Sequence, residues 1–349
     1  MRINGLNIGT EYKPYIIAEL SANHGGSLDR AKLCIREAAK CGISAVKIQT
    51  YTPDTMTIRS DKKDFFISDG LWKGSQLYDL YKKAYTPFEW HKELFECARN
   101  ENITLISTPF DESAVDLLEE LNVPAYKIAS FEIVDIPLIE YIAKKNKPIL
   151  LSTGMASIEE IEDAVSSIRR INDVEILLFH CISSYPTPSS ESNLNNIKFL
   201  KKKFGVHVGL SDHTISNLSA TVAIGLGAVA IEKHFKLNDE ECGPDASFSL
   251  NINQLSNLVS TCHKAWSTKG SLGFHRSKIE KENIIFRRSL YFVKDVKKGH
   301  KITQKDIRRI RPGYGISPKY FNSILGKKLI KDVQRGDAVR WELFNEDKN

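Results

Sequence analysis

The stretch TLISTPFDESAVDLLEELNVPAYKIAS, residues 104–130, contains the unit from which most of this chain is built. Apolar runs rich in β-branched residues at 104–110 and 125–130 are typical of strands, and the amphipathic segment 112–121 between them is typical of a helix. A strand, a helix and a second strand in close succession predict two parallel strands joined by a crossover helix. The stretch therefore indicates an α/β fold.

The same alternation occupies the first two-thirds of the sequence. The predicted strands are 15–20, 45–50, 104–110, 125–130, 148–154, 175–181, 207–212 and 228–235. The predicted helices are 27–40, 86–99, 112–121, 135–144, 157–169, 194–203, 216–225 and 252–266. Near-continuous apolar runs are expected for strands that are buried on both faces. Eight strands that alternate with eight helices predict a closed (β/α)8 TIM barrel.

An open, doubly wound sheet is the alternative to a barrel. No glycine-rich phosphate-binding fingerprint follows the first predicted strand, which weighs against that alternative. Two predicted helices carry starting signals. Thr86-Pro87 places a hydroxyl cap before a proline, and Ser157-Ile-Glu-Glu places a hydroxyl cap before acidic residues. We therefore expect helices to begin at these two points.

A long insertion, 51–85, separates the second predicted strand from its helix. It is rich in Tyr, Trp, Asp and Lys. Loops of this length inside a compact domain are usually functional lids or disordered segments. On a barrel this insertion would lie over the face on which active sites form.

The composition changes after about residue 269. From there to the end the chain has 21 Lys and Arg against 9 Asp and Glu, whereas the remainder is net acidic. This asymmetry predicts two units and an anionic partner for the basic one: a nucleic acid, a small phosphorylated or carboxylated substrate, or the acidic barrel itself. We expect a barrel domain over 1–268, a linker over 269–288 and a small domain over 289–349.

The sequence also argues against several classes of protein. No apolar run approaches the ~20 residues of a membrane helix. The N-terminus lacks a signal-peptide pattern, so a cytoplasmic location is expected. Because no cysteine stands in a C-x-x-C pair, we expect reduced thiols rather than disulfides or a zinc ribbon. The cysteines are Cys34, Cys41, Cys97, Cys181, Cys242 and Cys262.

Polar side chains accumulate at the ends of the predicted strands, where the reacting groups of a barrel enzyme gather. They are Glu19, Lys47, Gln49, Thr108, Lys127, Ser130, Glu132, Ser152, Thr153, His180, Ser211, Asp212, His213 and His234. Lys47 and Lys127 stand inside apolar runs, and a buried charge is costly unless it is paired or liganded. A salt bridge to an acid on a neighbouring strand would satisfy each lysine. Two lysines with a row of hydroxyls favour a site for an anion such as phosphate.

His213 and His234 end two adjacent predicted strands. A single histidine is more often a hydrogen-bonded core residue than a ligand. Two histidines on neighbouring strand ends can share one divalent cation, with water and a carboxylate completing the coordination. His24 and His180 are alternatives for this role, although we interpret His180 as structural.

Many ordered motifs resemble the sialic-acid synthase family. They are IAELSANHGGS, AVKIQTYTPDTMT, STPFD, YKIASFEIVDIPLI, LSTGM, SSYPTP, GLSDHT, IEKHF and GPDASFSL. The last third, with RRSLYFVKDVKKG and RPGYGISP, resembles the C-terminal antifreeze-like (SAF) domain of that family. The resemblance covers essentially the whole chain. It implies a TIM-barrel enzyme that condenses phosphoenolpyruvate with an amino-sugar aldehyde, releases phosphate and uses a divalent ion, Mn²⁺, Mg²⁺ or Co²⁺.

Within that family, SFEIVDIPLI, SSYPTP and GPDASFSL resemble pseudaminic acid synthases more than N-acetylneuraminate synthases. The acceptor implied is 2,4-diacetamido-2,4,6-trideoxy-altrose. The alternative acceptors are N-acetylmannosamine, which gives N-acetylneuraminate, and the precursor of legionaminate.

The resemblance also implies roles for individual residues. Glu19, Lys127, His213 and His234 would be catalytic, and the two histidines would bind the metal. Phosphoenolpyruvate would be held by Lys47, Thr108, Lys127, Ser130, Ser152, Ser183 and Ser211. Ser183 stands where neuraminate synthases have Asn, so that phosphate contact is altered or lost. The sugar would contact Gln49, Glu132, Tyr185, Asp245 and Arg311, the last from the other subunit of a domain-swapped homodimer.

Two rival functions remain at this point. Another phosphoenolpyruvate-using barrel aldolase would require a phosphorylated acceptor. A non-enzymatic glycan- or nucleic-acid-binding module would use the basic C-terminal unit, but the sequence has neither an aromatic–basic RNA-binding motif nor a recognition-helix signature.

Overall fold

The computed structural model describes residues 1–238 and 243–344. The chain forms two compact units, Met1–Gly270 and Ser271–Asn349. In the first unit, eight parallel strands form a closed barrel. The strands are β1 Tyr15–Glu19, β2 Ala45–Thr50, β3 Thr104–Pro109, β4 Tyr126–Ile128, β5 Ile149–Ser152, β6 Ile176–Cys181, β7 His207–Ser211 and β8 Ala230–His234.

The barrel closes between its last and first strands. β8 pairs in parallel with β1 from Ala230 opposite Tyr15 to His234 opposite Glu19. The predicted TIM barrel is thus confirmed, and the doubly wound alternative is wrong. The strands are shorter than the apolar runs because the final residues of several runs turn into the loops above the barrel. β4, for example, keeps only three residues of the run 125–130.

A helix follows each strand around the outside of the barrel. The helices are α1 Leu28–Lys40, α2 His91–Asn100, α3 Glu112–Glu120, α4 Ile136–Ala143, α5 Ile158–Ile171, α6 Asn196–Phe204, α7 Leu218–Leu226 and α8 Ile252–Thr268. Their apolar faces pack on the outward side chains of the strands to form one large core. Burial of this apolar surface is the main favourable contribution to folding.

The two predicted helix starts have different outcomes. Ser157 caps α5 in a reciprocal arrangement with Glu160, which confirms that start. The start at Thr86-Pro87 is wrong. Pro87 has extended backbone, a short 3-10 turn follows, and α2 begins at His91. The Thr86 hydroxyl lies 3.4 Å from Nε2 of His24 instead of capping a helix.

The lower half of the barrel interior is apolar and closed. An antiparallel pair, Arg2–Ile3 with Leu6–Asn7, lies at this end. Its residue Ile3 belongs to the same buried cluster as the inward side chains of the strands. These inward side chains are Tyr15, Ile17, Ala45, Ile106, Ala125, Leu150, Leu177, Phe179 and Ala230. The cavity of the barrel can therefore open only at the carboxyl ends of the strands.

Side-chain alternation along the strands determines what reaches that open end. Residues two apart point to the same face of a strand. In β1 the inward positions are Ile17 and then Glu19, and Ala125, immediately before β4, is followed two residues later by Lys127 in that strand. Each apolar layer is thus followed by a polar layer closer to the mouth.

Asp212 faces a different environment from the neighbouring strand-end residues. Nζ of Lys233 donates to Oδ2 of Asp212 at 2.6 Å and to the carbonyl of Ser216 at 2.9 Å. Both side chains of the ion pair are 1% exposed. Asp212 therefore belongs to a buried ion pair that joins the ends of β7 and β8, and it does not line the cavity.

The insertion 51–85 contains two short helices, Pro53–Met56 and Leu77–Ala84, and a 3-10 turn, Lys63–Phe65. The indole Nε1 of Trp72 donates to the carbonyl oxygen of Pro244 at 3.0 Å. Pro244 lies in the loop that follows β8 at the carboxyl end of the barrel. The insertion therefore lies at that end, as predicted.

The second unit is a small β-rich fold. β9, Ser289–Phe292, pairs antiparallel with β10, Ile307–Ile310. The predicted short helix is present as Pro318–Tyr320 and Phe321–Ile324. The segment predicted as a linker contains a helix, Lys278–Glu282, and a 3-10 turn. The core of this unit is formed by Leu290, Phe292, Val296, Ile302, Ile307, Ile316, Ile324, Leu329, Val333, Val339, Leu343 and Phe344.

Two expectations concern the chain as a whole. Free thiols are found at Cys34, Cys41, Cys97, Cys181 and Cys262. Cys242 lies outside the described residues. Within 1–238 and 243–344, no helix combines the length and apolar character needed to cross a bilayer.

The buried pair gives a stability prediction. Replacing Lys233 with Met leaves an unpaired carboxylate in the barrel wall, and breaking a buried pair typically costs about 3–5 kcal/mol. We expect a loss of this size in the free energy of unfolding of the barrel, measured in urea. Glu162→Gln breaks the partly exposed pair with Lys203 and should cost less than about 1 kcal/mol. Equal losses in the two variants would contradict this account.

Candidate active site

A cavity of about 380 Å³ opens at the carboxyl ends of the barrel strands. It brings together most of the residues predicted to form the site. Those in its lining are Glu19, Lys47, Gln49, Lys127, Ser130, Glu132, Ser152, Ser183, Tyr185, Ser211, His213, His234 and Asp245. The site therefore lies where strand-end chemistry is expected in a barrel.

Two predicted residues are not in this lining. Thr108 is fully buried, and its hydroxyl accepts a hydrogen bond from Nζ of Lys47 at 3.1 Å. Thr108 can therefore orient Lys47. Direct contact with phosphate is not expected, because the Thr108 side chain does not line the cavity. Arg311 belongs to the second unit, and its predicted contact with the sugar stays a prediction.

The base of the cavity contains a buried cluster of lysines and glutamates. Nζ of Lys47 lies 2.6 Å from Oε2 of Glu19 and 3.5 Å from Oε1 of Glu232. Nζ of Lys127 lies 3.7 Å from Oε2 of Glu232. All four side chains are at most 5% exposed. The lysines therefore have salt-bridge partners on other strands, in addition to any anion that they bind.

Lys127 also belongs to a group of hydroxyls. Its Nζ donates to Oγ of Ser152 at 2.6 Å. Nearby, the hydroxyls of Ser130 and Ser183 lie 3.0 Å apart and share a hydrogen bond. An ammonium beside several hydroxyl donors is a suitable environment for a phosphate or carboxylate oxygen.

Gly154 makes this close packing of serines possible. Its φ is +42°, a left-handed conformation that L side chains rarely adopt. A Cβ at this position would lie 2.3 Å from Cβ of Ser130 and 2.7 Å from Oγ of Ser183. Any side chain at position 154 would therefore displace the serines.

The two carboxyls of the charged cluster titrate differently. Burial raises the pKa of Glu19 to about 7, although Lys47 opposes the shift. Burial would also raise the pKa of Glu232, but Lys127 and Lys47 outweigh it and hold that pKa below its ordinary value. Glu232 is therefore ionised at neutral pH, whereas Glu19 can both accept and donate a proton there.

The two lysines also differ. Burial alone would lower the pKa of Lys47, but Glu19 and Glu232 outweigh burial and raise it. Burial lowers the pKa of Lys127, with only partial compensation from Glu232. An anion that reaches Lys127 would supply the additional negative charge that this ammonium lacks.

Glu232 is a charged residue of the cavity lining that the sequence interpretation missed. It lies in the motif IEKHF, two residues before His234, and both side chains line the cavity. Lys233 between them points outward to Asp212. The signal was available, because the two-residue period of a strand places Glu232 on the same face as His234.

His213 and His234 lie side by side in the cavity, with ring centroids 5.7 Å apart. Burial lowers the pKa of both rings, so both are neutral at pH 7. Nδ1 of His213 lies 2.8 Å from the carbonyl oxygen of Ile182, which makes Nδ1 the protonated nitrogen and Nε2 the acceptor, 3.5 Å from the Ser211 hydroxyl. Nδ1 of His234 is buried without a hydrogen-bond partner among the described residues.

These features fit a divalent cation. Metal-binding histidines are neutral, and their second nitrogen commonly donates to a backbone carbonyl, as that of His213 does. The part of the chain that the structure describes contains no cluster of three or more His, Cys, Asp or Glu placed to hold a metal ion. His213 and His234 can supply two ligands to such a cation.

The other two histidines considered as ligands have structural partners. Nε2 of His180 lies 2.7 Å from the carbonyl oxygen of Ser192, as expected for a structural ring that donates to the backbone. Nδ1 of His24 accepts from the backbone N–H of Gly26 at 3.1 Å. Neither side chain lines the cavity.

Tyr185 covers the histidine pair. Its ring centroid lies 4.2 Å from that of His213 and 6.1 Å from that of His234. Burial raises the pKa of its hydroxyl, so the group stays protonated. Asp245 lies on the other side, with Oδ2 3.9 Å from Nδ1 of His234. These groups place hydrogen-bonding atoms above the histidines, where a second substrate could bind.

Glu132 is a second carboxyl with a shifted pKa. Burial raises this pKa to about 7. Its Oε2 is buried and has no hydrogen-bond partner among the described residues. Burial outweighs the opposing effects of its own backbone N–H and of Lys127, so the protonated form is favoured.

The comparison with known proteins agrees with this geometry. The model of the NeuB family matches residues 34–273, and the model of the SAF domain matches residues 287–345. The chain belongs to the NeuB family. The resemblance to sialic-acid synthases with a C-terminal SAF domain is thereby confirmed.

Several NeuB-family relatives are similar over almost their whole length. A pseudaminic acid synthase of Campylobacter jejuni is 43% identical over 96% of this chain and 97% of that protein. One of Helicobacter pylori is 44% identical over 91% of this chain and 94% of that protein. The crystal structure of an N-acetylneuraminic acid synthetase from Leptospira borgpetersenii is 31% identical, covers 81% of this chain and 94% of that chain, and has a TM-score of 0.73.

The raised pKa of Glu132 predicts a pH dependence of stability in this NeuB-family chain. Between about pH 5 and 7 the folded state holds the proton that the unfolded chain releases, so stability falls as pH rises. Glu132→Gln should remove up to about 1.4 kcal/mol per pH unit of that slope. The test is urea unfolding across this pH range. The exposed Glu89→Gln is the control, and an unchanged slope in Glu132→Gln would contradict the assignment.

Proposed function

We propose that the cavity condenses phosphoenolpyruvate with 2,4-diacetamido-2,4,6-trideoxy-altrose and water to give pseudaminic acid and phosphate. The observation that carries this proposal is the convergence of Lys47, Lys127, the serine hydroxyls and the histidine pair on one cavity. Relatives of the same family, similar over nearly the whole chain, bear the name pseudaminic acid synthase. The enzyme is accordingly a transferase that forms a carbon–carbon bond.

The anionic donor suits the base of the cavity. Its phosphate and carboxylate oxygens would be held by Lys127, Lys47 and the hydroxyls of Ser130, Ser152, Ser183 and Ser211. The low pKa of Lys127 and the hydroxyl partners already around it favour an incoming anion. Holding the donor beside the acceptor converts the encounter into attack within one complex, which can contribute several kcal/mol to catalysis.

The reaction forms a carbon–carbon bond and a carbon–oxygen bond, and it breaks the bond between carbon 2 of phosphoenolpyruvate and its phosphate oxygen. Carbon 3 of phosphoenolpyruvate attacks the aldehyde carbon of the acceptor, and positive charge develops at carbon 2. The aldehyde oxygen takes up a proton and becomes a hydroxyl. Water adds to carbon 2 and loses one proton, and the bond between carbon 2 and the phosphate oxygen then breaks as the new hydroxyl gives its proton to the departing phosphate and becomes the keto oxygen. Ionised Glu232 can stabilise the positive charge, and Glu19, with a pKa near 7, can take the proton.

His213 and His234 are the residues that would hold the metal ion. Bound there, a divalent ion such as Mn²⁺, Mg²⁺ or Co²⁺ would act as a Lewis acid on the aldehyde oxygen of the acceptor. Gln49, Glu132, Tyr185 and Asp245 surround the same region and would hydrogen-bond to the sugar. By resemblance, Arg311 would reach the sugar in the cavity of a second copy, in a homodimer. We propose the cytoplasm, which supplies phosphoenolpyruvate, as the compartment.

A substrate panel tests the proposed reaction. Phosphate release from phosphoenolpyruvate should occur with 2,4-diacetamido-2,4,6-trideoxy-altrose and be at least about tenfold slower with N-acetylmannosamine, the legionaminate precursor or a phosphorylated sugar, since a pocket separates close analogues by about 10–200-fold. EDTA should abolish release, and added Mn²⁺ should restore it. Release with a phosphorylated sugar alone would establish the rival aldolase, and release with no sugar in the panel would reject the proposal.

The metal ligands can be tested separately. His213→Ala should lower phosphate release to the level of the chelated wild type, with no further loss on adding EDTA. It should also weaken Mn²⁺ binding, measured by titration calorimetry, by more than the 10- to 100-fold typical of outer-shell changes. His263→Ala, on α8 outside the cavity, is the control. A large additional loss with EDTA would place the metal elsewhere.

A further inference from the structure

The cavity has two chemically different halves. Its base carries the charged cluster, the serines and the histidine pair. The insertion 51–85 contributes a second group of lining side chains, none of which carries a charge. We call four of these the apolar wall: Ile67, Trp72, Leu77 and Leu80. All four line the cavity and are half-buried, so part of each side chain faces the cavity space.

The apolar wall is held in place by contacts with the rest of the barrel. The indole N–H of Trp72 donates to the carbonyl oxygen of Pro244, and its ring lies 6.1 Å from that of Tyr185. Leu77 and Leu80 are three residues apart on one helix and therefore share a face. The next residue, Tyr81, packs edge-on against buried Tyr51 at 5.9 Å between ring centroids.

The chemistry of the two halves of the cavity indicates where each substrate would bind. Phosphoenolpyruvate carries a phosphate and a carboxylate, which require the charged base. The aldehyde carbon of the acceptor must then approach the base, next to the histidine pair. The far end of the acceptor extends away from the base, toward the apolar wall.

The apolar wall would distinguish acceptors whose far end is a hydroxyl group from acceptors whose far end is a methyl group. A hydroxyl placed against it would lose its hydrogen bonds to water, because these side chains offer only one polar hydrogen, and Pro244 already accepts it. A methyl group placed there would be removed from water favourably.

Resting on the proposed function, we infer that the apolar wall selects acceptors whose far end is deoxygenated and carries a methyl group. The insertion is then the element that determines acceptor specificity, whereas the strand ends perform the common chemistry. Fully hydroxylated amino sugars are disfavoured because a terminal hydroxyl placed against the apolar wall finds no free partner among its four side chains.

The experiment compares two acceptors that differ only at the terminal carbon: the 6-deoxy sugar and its 6-hydroxy analogue. The wild type should prefer the 6-deoxy sugar in kcat/KM by about 10- to 200-fold, the range for small changes in an apolar pocket. Leu80→Asn and Leu77→Asn, which place an amide on the wall at similar volume, should each lower this preference about tenfold or more. The KM for phosphoenolpyruvate should not change, because the base of the cavity is intact.

Matched variants separate specificity from folding. Ile58→Asn introduces the same side chain into the same insertion at a position that is 62% exposed and outside the cavity lining, and it should keep the wild-type preference. Leu80→Met keeps the wall apolar and should also retain the preference. Thermal unfolding reports whether each variant is folded. If one Asn variant fails to fold, the other decides the outcome.

The possible results are distinct. An unchanged preference in a folded Asn variant, with an active wild type, overturns the role of the apolar wall but leaves the condensation reaction standing. A wild type that does not distinguish the two acceptors also overturns it. A wild type that releases no phosphate with either sugar, nor with any other of the panel, rejects the proposed function itself.

Discussion

The site depends on the electrostatic balance of four side chains that are withheld from water. Lys47 and Lys127 could not be buried in the barrel as isolated cations, because desolvating an unpaired charge costs several kcal/mol. Glu19 and Glu232, on two other strands, supply the compensating charge. The compensation is incomplete at Lys127, whose pKa is lowered, and at Glu19, whose pKa is raised to about 7. This residual imbalance suits the binding of an anion and leaves Glu19 able to exchange protons near neutral pH.

The barrel and much of its site could be predicted because both follow from local regularities. Strands buried on both faces are visible as near-continuous apolar runs, and polar residues that interrupt those runs identify the strand ends. Lys127, His213 and His234 were found in this way, and they line one cavity. Glu232 was missed because it was read as part of an apolar strand, although its spacing from His234 places both on the inner face.

Other features could not be predicted because they depend on contacts between distant parts of the chain. A buried lysine can pair with an acid of the protein or bind an anion from solution, and the residues on neighbouring strands determine which occurs. Here Lys47 and Lys127 both pair with Glu232. Thr86 has a side chain suited to capping a helix, but the backbone of Pro87 is extended, so the helix begins only at His91. The orientation of the insertion depends on the contact between Trp72 and Pro244, two residues far apart in sequence.

The alternation in β8 has a consequence for how this chain can vary. Glu232 and His234 face the cavity, whereas Lys233 points outward and forms the buried ion pair with Asp212. Deleting one residue within β8 would turn Lys233 inward and turn Glu232 and His234 outward. The cavity would then lose two lining groups, and the barrel wall would lose its buried ion pair. The barrel can therefore accept insertions and deletions in its loops but not within this strand. Acceptor choice, which we assign to a loop, can diverge among descendants while the strand ends remain unchanged.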